Sequence, residues 1–241
     1  MFSLEKLKVY DKALASAARL AQHSGSWDKR HAVVDHLLRA SESVVLNLAE
    51  AARLRSAGKR QHVLDYAIGS ALECAASLDV ASLKQLLCGE LALREKGVLC
   101  QVVRMLVGLR KAWAGEEFRE SPPSYGIPED WLFAHERLDA YRLSLDFIGW
   151  FHALPGAAEL SSRLLRQVDK AGTSVVLNIA EGNGRYGPGD RRSMFDIAEA
   201  SVVKAGVYVE LCSRSGEVNA DQKRRAMEML GRIASMGRGL T

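Results

Sequence analysis

Several classes of protein are excluded by what this chain lacks. Proline is rare, five in 241 residues, so the chain is no proline-rich linker protein. The four cysteines, Cys74, Cys88, Cys100 and Cys212, form no C-x-x-C pair. That argues against a disulfide framework or a zinc ribbon and for free thiols in a reducing cytoplasm. The most apolar stretch, Val98 to Leu109, is broken by Gln101 and Arg104, too short and too charged to cross a bilayer. The N-terminus lacks the apolar core of a signal peptide. No Glu-x-x-His pair occurs among the six histidines, so the di-iron chemistry of some helical bundles is not expected, nor any other metal or cofactor. No alternating stretch long enough for a strand is present.

What is present is a repeat. Sliding the chain against itself by 131 positions aligns residues 4–110 with 135–241 without a gap. Ser43-Val-Val-Leu-Asn-Leu-Ala-Glu50 falls on Ser174-Val-Val-Leu-Asn-Ile-Ala-Glu181, Tyr10 on Tyr141, Arg60 on Arg191, and Ser70 on Ser201. A period of this length is that of a domain, not of a solenoid. The chain divides into a first unit (1–114), an acidic connector (115–134) and a second unit (135–241). Net charge is +4, distributed as +6 (17 basic, 11 acidic), −4 (1 and 5) and +2 (15 and 13) over these three segments. The basic bias is mild.

Apolar residues at spacings of three and four predict four helices in each unit. In the first they cover about Leu4–Gln22, Asp28–Arg55 with Asp28 as N-cap, Lys59–Leu87 and Glu90–Trp113. In the second they cover about Glu136–Ala153, Ala157–Asn183, Asp190–Ser213 and Ala220–Met236. The expected fold is all-α, two up-down-up-down four-helix bundles in tandem. Trp131, Leu132 and Phe133 are expected to dock on a bundle. The second helix of each unit is more apolar than one bundle core requires. The two bundles are therefore expected to pack side by side, with a second helix at the contact. Leu46→Glu or Val176→Glu is expected to disrupt folding or association.

Two sets of polar residues recur. Ser43, Asn47 and Glu50, repeated as Ser174, Asn178 and Glu181, form a stripe on the second helix. A structural role within the bundle and a polar contact with a partner chain both fit it. No His, Cys or Lys recurs beside it to form an acid–base pair, so no catalytic residue is expected. Basic residues gather at the turn between second and third helices: Arg53, Arg55, Lys59 and Arg60 in one unit, Arg185, Arg191 and Arg192 in the other. Solvated turns and contacts to RNA or DNA phosphates both fit. Glu181-Gly-Asn-Gly-Arg-Tyr-Gly-Pro-Gly189 lacks the Gly-Lys ending of a phosphate loop and reads as a helix end and turn.

Ser174-Val-Val-Leu-Asn-Ile-Ala-Glu-Gly182, then Arg185, then Phe195-Asp-Ile-Ala-Glu-Ala-Ser201, is similar to four-helix bundle proteins of the 23S ribosomal RNA intervening-sequence type. That family includes the accessory variability determinant of diversity-generating retroelements. The resemblance implies a non-enzymatic bundle that self-associates, with relatives forming a five-fold ring. It also implies a basic surface for nucleic acid and, in the retroelement member, a reverse transcriptase. The first unit departs from the pattern at Ala51-Ala52-Arg53, and the second has Lys204 where the first has Glu73. The expected function is a self-associating adaptor that binds nucleic acid, with a pure protein scaffold as the alternative.

Overall fold

The computed structural model describes residues 7–114 and 131–239. Residues 115–130 of the connector, the expected first turn from Leu4 and the closing Leu240 lie outside the described residues. Among the described residues eight α-helices follow in order: α1 Lys8–Ser24, α2 Ala32–Arg53, α3 Ala57–Leu83, α4 Gly89–Ala114, α5 Asp139–His152, α6 Arg163–Gly184, α7 Pro188–Arg214 and α8 Ala220–Gly237. A short 3-10 helix, Ala134–Arg137, precedes α5. No strand occurs among the described residues. The chain is two four-helix bundles in tandem.

Local chemistry sets most helix ends. Ser162 Oγ accepts from the Leu165 amide at 3.1 Å to start α6. Asn219 and Gln222 cap each other at the start of α8 (2.8 and 2.9 Å), and Pro188 opens α7 where its missing N–H costs nothing. Each such cap is worth about 1 kcal/mol.

Three starts differ from expectation; α5, expected from Glu136, begins at Asp139 behind the 3-10 turn. Asp28 does not cap α2; its carboxylate is held by Arg30, and α2 begins at Ala32 behind His31. The Ala32 amide instead donates to Asp169 Oδ2 of α6 at 3.3 Å. Helix α6 begins at Arg163 instead of Ala157. The intervening chain turns through Gly156 (φ 73°) and Leu160 (φ 46°). Leu160 is fully buried, so packing of that side chain holds the left-handed backbone a leucine otherwise avoids.

The bundles lie side by side with α6 along α3. Val33, Ala76 and Val80 of the first bundle belong to the apolar core of the second. Phe133 and Leu132 dock on the first core, and Trp131 lies under the Arg142 guanidinium at 5.7 Å. Of the two residues expected to be sensitive to a charge, Val176 is fully buried but Leu46 is 66 % exposed. Within one chain, Leu46→Glu therefore has no core to disrupt.

Candidate nucleic-acid interface

The repeated serine–asparagine stripe ties each second helix to the third helix of its own bundle. Asn47 Nδ2 donates to the Ser43 carbonyl and hydroxyl, both at 2.8 Å, and Ser43 meets the Ser70 hydroxyl at 2.8 Å. Asn178 does the same with Ser174 at 2.7 and 3.1 Å, and Ser174 meets Ser201 at 2.9 Å. The glutamates diverge. Glu50 is exposed, whereas Glu181 forms an ion pair with Arg185. Burial raises the Glu181 pKa against the opposing pull of that arginine.

Arg185 was expected at the basic turn and belongs elsewhere. It is only 8 % exposed, and its guanidinium stacks 4.3 Å from the Tyr66 ring of α3. It is wedged between the bundles and unavailable to a phosphate on the surface. A Cβ on Gly69 would sit 3.1 Å from its Nε, and one on Gly184 would sit 2.2 Å from a methyl of Leu72. A Cβ on Gly182 would sit 3.0 Å from Phe195 and from Met194. The glycines of this segment allow helices to approach; Gly182 and Gly184 are inside α6, not in a phosphate loop.

Two buried ionic clusters join the bundles. Lys84 Nζ lies 2.5 Å from Asp169, both side chains fully buried, and Thr173 accepts from the same ammonium at 3.1 Å. His152 Nε2 is 2.9 Å from Asp169, and the His31 ring lies 5.6 Å from that of His152. Burial alone would raise the Asp169 pKa, but the Lys84 charge and the His152 bond hold it well below the ordinary carboxylate range. In the second cluster Lys96 Nζ bridges Asp79 (2.6 Å) and Glu136 (2.7 Å). Tyr141 donates to Asp79 at 2.8 Å, and buried His135 has its pKa pushed down to about 3 by desolvation. His31, His152 and Asp169, and likewise Asp79, His135 and Glu136, are each spaced to ligate a metal ion. In both groups a lysine ammonium sits on the carboxylates where such a cation would bind.

The Lys84–Asp169 cluster was missed because its residues do not repeat. Lys84 aligns with Ser215, Asp169 with Leu38 and His152 with Ala21. That contrast, an ionisable residue in one copy and an uncharged one in the other, was the signal available.

The two basic turns come together. His62 of α3 faces Asp190 at the start of α7 at 3.6 Å, and Arg110 of α4 lies 4.2 Å over Tyr186 in the α6–α7 turn. Arg60 donates to the Leu54 carbonyl and stacks 5.0 Å from Trp113, which holds it half-buried. Arg53, Arg55, Lys59, Arg191 and Arg192 are exposed. Arg191 reaches across Phe195 at 5.5 Å. The helix 2–3 turns of both bundles thus share one end of the molecule, with Arg110 of α4 beside Tyr186. No helix among the described residues is long and apolar enough to cross a membrane.

No curated protein and no solved structure matches the chain. The sequence profile of the 23S rRNA-intervening sequence protein family does, and it matches twice, over residues 5–108 and 136–239. Those spans include the asparagine locks, both basic turns and nearly all the described helices, so the chain belongs to the 23S rRNA-intervening sequence protein family, as a tandem duplication of it.

Proposed function

We propose that this protein is a non-catalytic helical adaptor that holds nucleic acid, RNA foremost, by its phosphate backbone. The contact surface is the end where the two basic turns meet. The observation that carries the reading is their convergence: Arg55 and Lys59 from one bundle, Arg191 and Arg192 from the other, linked through His62 and Asp190. Arg53 and Arg60 flank them, whereas Arg185 takes no part. Exposed arginines and lysines from two helix N-terminal regions present charge to a backbone without reading bases. A nucleic-acid enzyme such as a reverse transcriptase would use the same surface through acidic groups of its own.

The test is RNA binding by the purified protein across a salt series, with duplex DNA beside it. Log affinity should fall linearly with log salt. Arg191→Ala with Arg192→Ala should weaken binding to all sequences alike. The slope should flatten by roughly 1.4 for single strands if both residues neutralise a phosphate. No binding at low salt would leave the scaffold reading, which the exposed apolar row on α7 favours: Ile197, Val203, Val207 and Leu211.

A further inference from the structure

Two consecutive residues of the α6–α7 turn stack on the first bundle in opposite senses. Arg185 lays its guanidinium 4.3 Å from the Tyr66 ring of α3, and Tyr186 gives its own ring to the Arg110 guanidinium of α4 at 4.2 Å. The first stack is sealed in the joint, with Arg185 buried. The second stands at the surface, with Tyr186 49 % exposed. Arg110 is itself fixed: its Nε donates to Asp65 Oδ1 of α3 at 2.6 Å, and both partners are largely shielded from water. The tyrosine ring of one bundle is thus seated on an ion pair of the other. Desolvation strengthens a cation–π contact, so a stack that only joined the bundles would gain by burying the ring as well. Here the guanidinium takes one side of the ring, and the exposed part of the side chain remains for a ligand.

The surroundings decide what such a ring can meet. Exposed Arg191 and Arg192 follow it in the first turns of α7, and exposed Arg55 and Lys59 stand on the neighbouring turn of the first bundle. Shifted by 131, Tyr186 falls on Arg55. At matching positions one turn therefore presents a cation and the other a ring. The one acid of the segment 185–192, Asp190, faces His62 at 3.6 Å. A flat ring among exposed cations suits a ligand that carries flat rings and negative charges in alternation. A polynucleotide with unpaired bases is such a ligand, because every base has a face to stack whatever its sequence. In a duplex the bases stack on one another, and Tyr186 would meet only sugar and phosphate.

We infer that Tyr186 is a stacking platform for one unpaired nucleobase, so that this end of the molecule takes single-stranded nucleic acid in preference to a duplex. The inference rests on the phosphate-binding reading of the same surface and adds a base contact to it. The arginines and Lys59 hold the backbone, and the tyrosine holds a base by its face. No base edge is read, so the preference is for an unpaired strand and not for a sequence.

The test is fluorescence anisotropy of the intact protein with three probes of about ten nucleotides: an unstructured strand, the same strand with every base removed, and the duplex. Each is made in RNA and in DNA form, which tells the two kinds of strand apart. Wild type should hold the base-bearing strand roughly tenfold more tightly than the abasic one, in at least one of the two forms. Tyr186→Ala should bring the two affinities together and leave the slope of log affinity against log salt unchanged, because it removes no charge. Tyr186→Trp should keep the preference. Arg191→Ala with Arg192→Ala should do the opposite of Tyr186→Ala, flattening the slope while the base-bearing strand stays favoured over the abasic one. Tyr186 lies in a turn, so the helical circular dichroism of its variants should match wild type. Equal affinity for base-bearing and abasic strands, tighter binding of the duplex at equal phosphate concentration, or a Tyr186→Ala variant that keeps the preference would overturn this inference and leave the phosphate reading standing. No binding of any probe at low salt would overturn both.

Discussion

Helices α3 and α7 are copies of one another and have the same length, 27 residues, yet α3 buries 16 of them and α7 only 8. The difference lies in position. Helix α3 is covered by its own bundle on one side and by α6 on the other, whereas α7 has only its own bundle. The same contrast separates α6, with Leu177 buried, from α2, with Leu46 exposed. A duplicated module placed beside its twin fills one of its two joints and leaves the other pair of faces open. Residues at matching positions then come under different physical demands.

The largest test of this contrast is Lys84. Lys84→Ala would strand the buried Asp169 carboxylate, at a cost of about 3–5 kcal/mol. Its counterpart Ser215 is exposed at the end of α7, and Ser215→Ala should cost no more than about 1 kcal/mol. Urea denaturation of the two variants measures both. Equal losses would mean that the cluster does not join the bundles.

Next is size at the joint. Gly184→Leu forces a side chain into space that Leu72 occupies and should cost about 1–3 kcal/mol through overpacking. Arg53→Leu, at the copied position, should stay within about 0.5 kcal/mol for the single chain. Leu72→Ala should recover part of the Gly184→Leu loss, and thermal melts of the three variants decide this.

The smallest effect sharpens the comparison from the other direction. Asn47 and Asn178 make the same bonds in both bundles, so Asn47→Ala and Asn178→Ala should cost about the same, near 1 kcal/mol each. A difference of more than about 1 kcal/mol in denaturant unfolding would show that the two locks are not equivalent.

The helices, their order and the bundle architecture were legible because periodicity and an ungapped repeat specify them locally. The start of α6 was not. Ala157, Leu160 and Leu164 keep helical spacing, and only the tertiary burial of Leu160 reveals a loop there. The excess apolar character of the second helix pointed correctly to a contact, but α6 makes it within the chain, with Leu177 buried, whereas Leu46, its counterpart on α2, stays exposed. Arg185 read as a surface cation because its neighbours in sequence are polar and glycine-rich. Its true neighbours, Tyr66 and Gly69, belong to the other half of the chain. The ionic clusters were invisible for the same reason: each is assembled from residues far apart in sequence, and neither copy alone contains one.

One of those distant contacts bears on the order of folding. The acceptor for the first amide of α2 is Asp169, 137 residues further along the chain. A nascent chain growing from the ribosome therefore exposes the start of α2 long before its acceptor is made. The first bundle can collapse around its apolar core meanwhile, but that turn remains frayed. Synthesis of α6 then completes a helix made many seconds earlier. Pulsed hydrogen exchange on ribosome-stalled chains should find the amides of Ala32 to Val34 unprotected before α6 has emerged and protected after it.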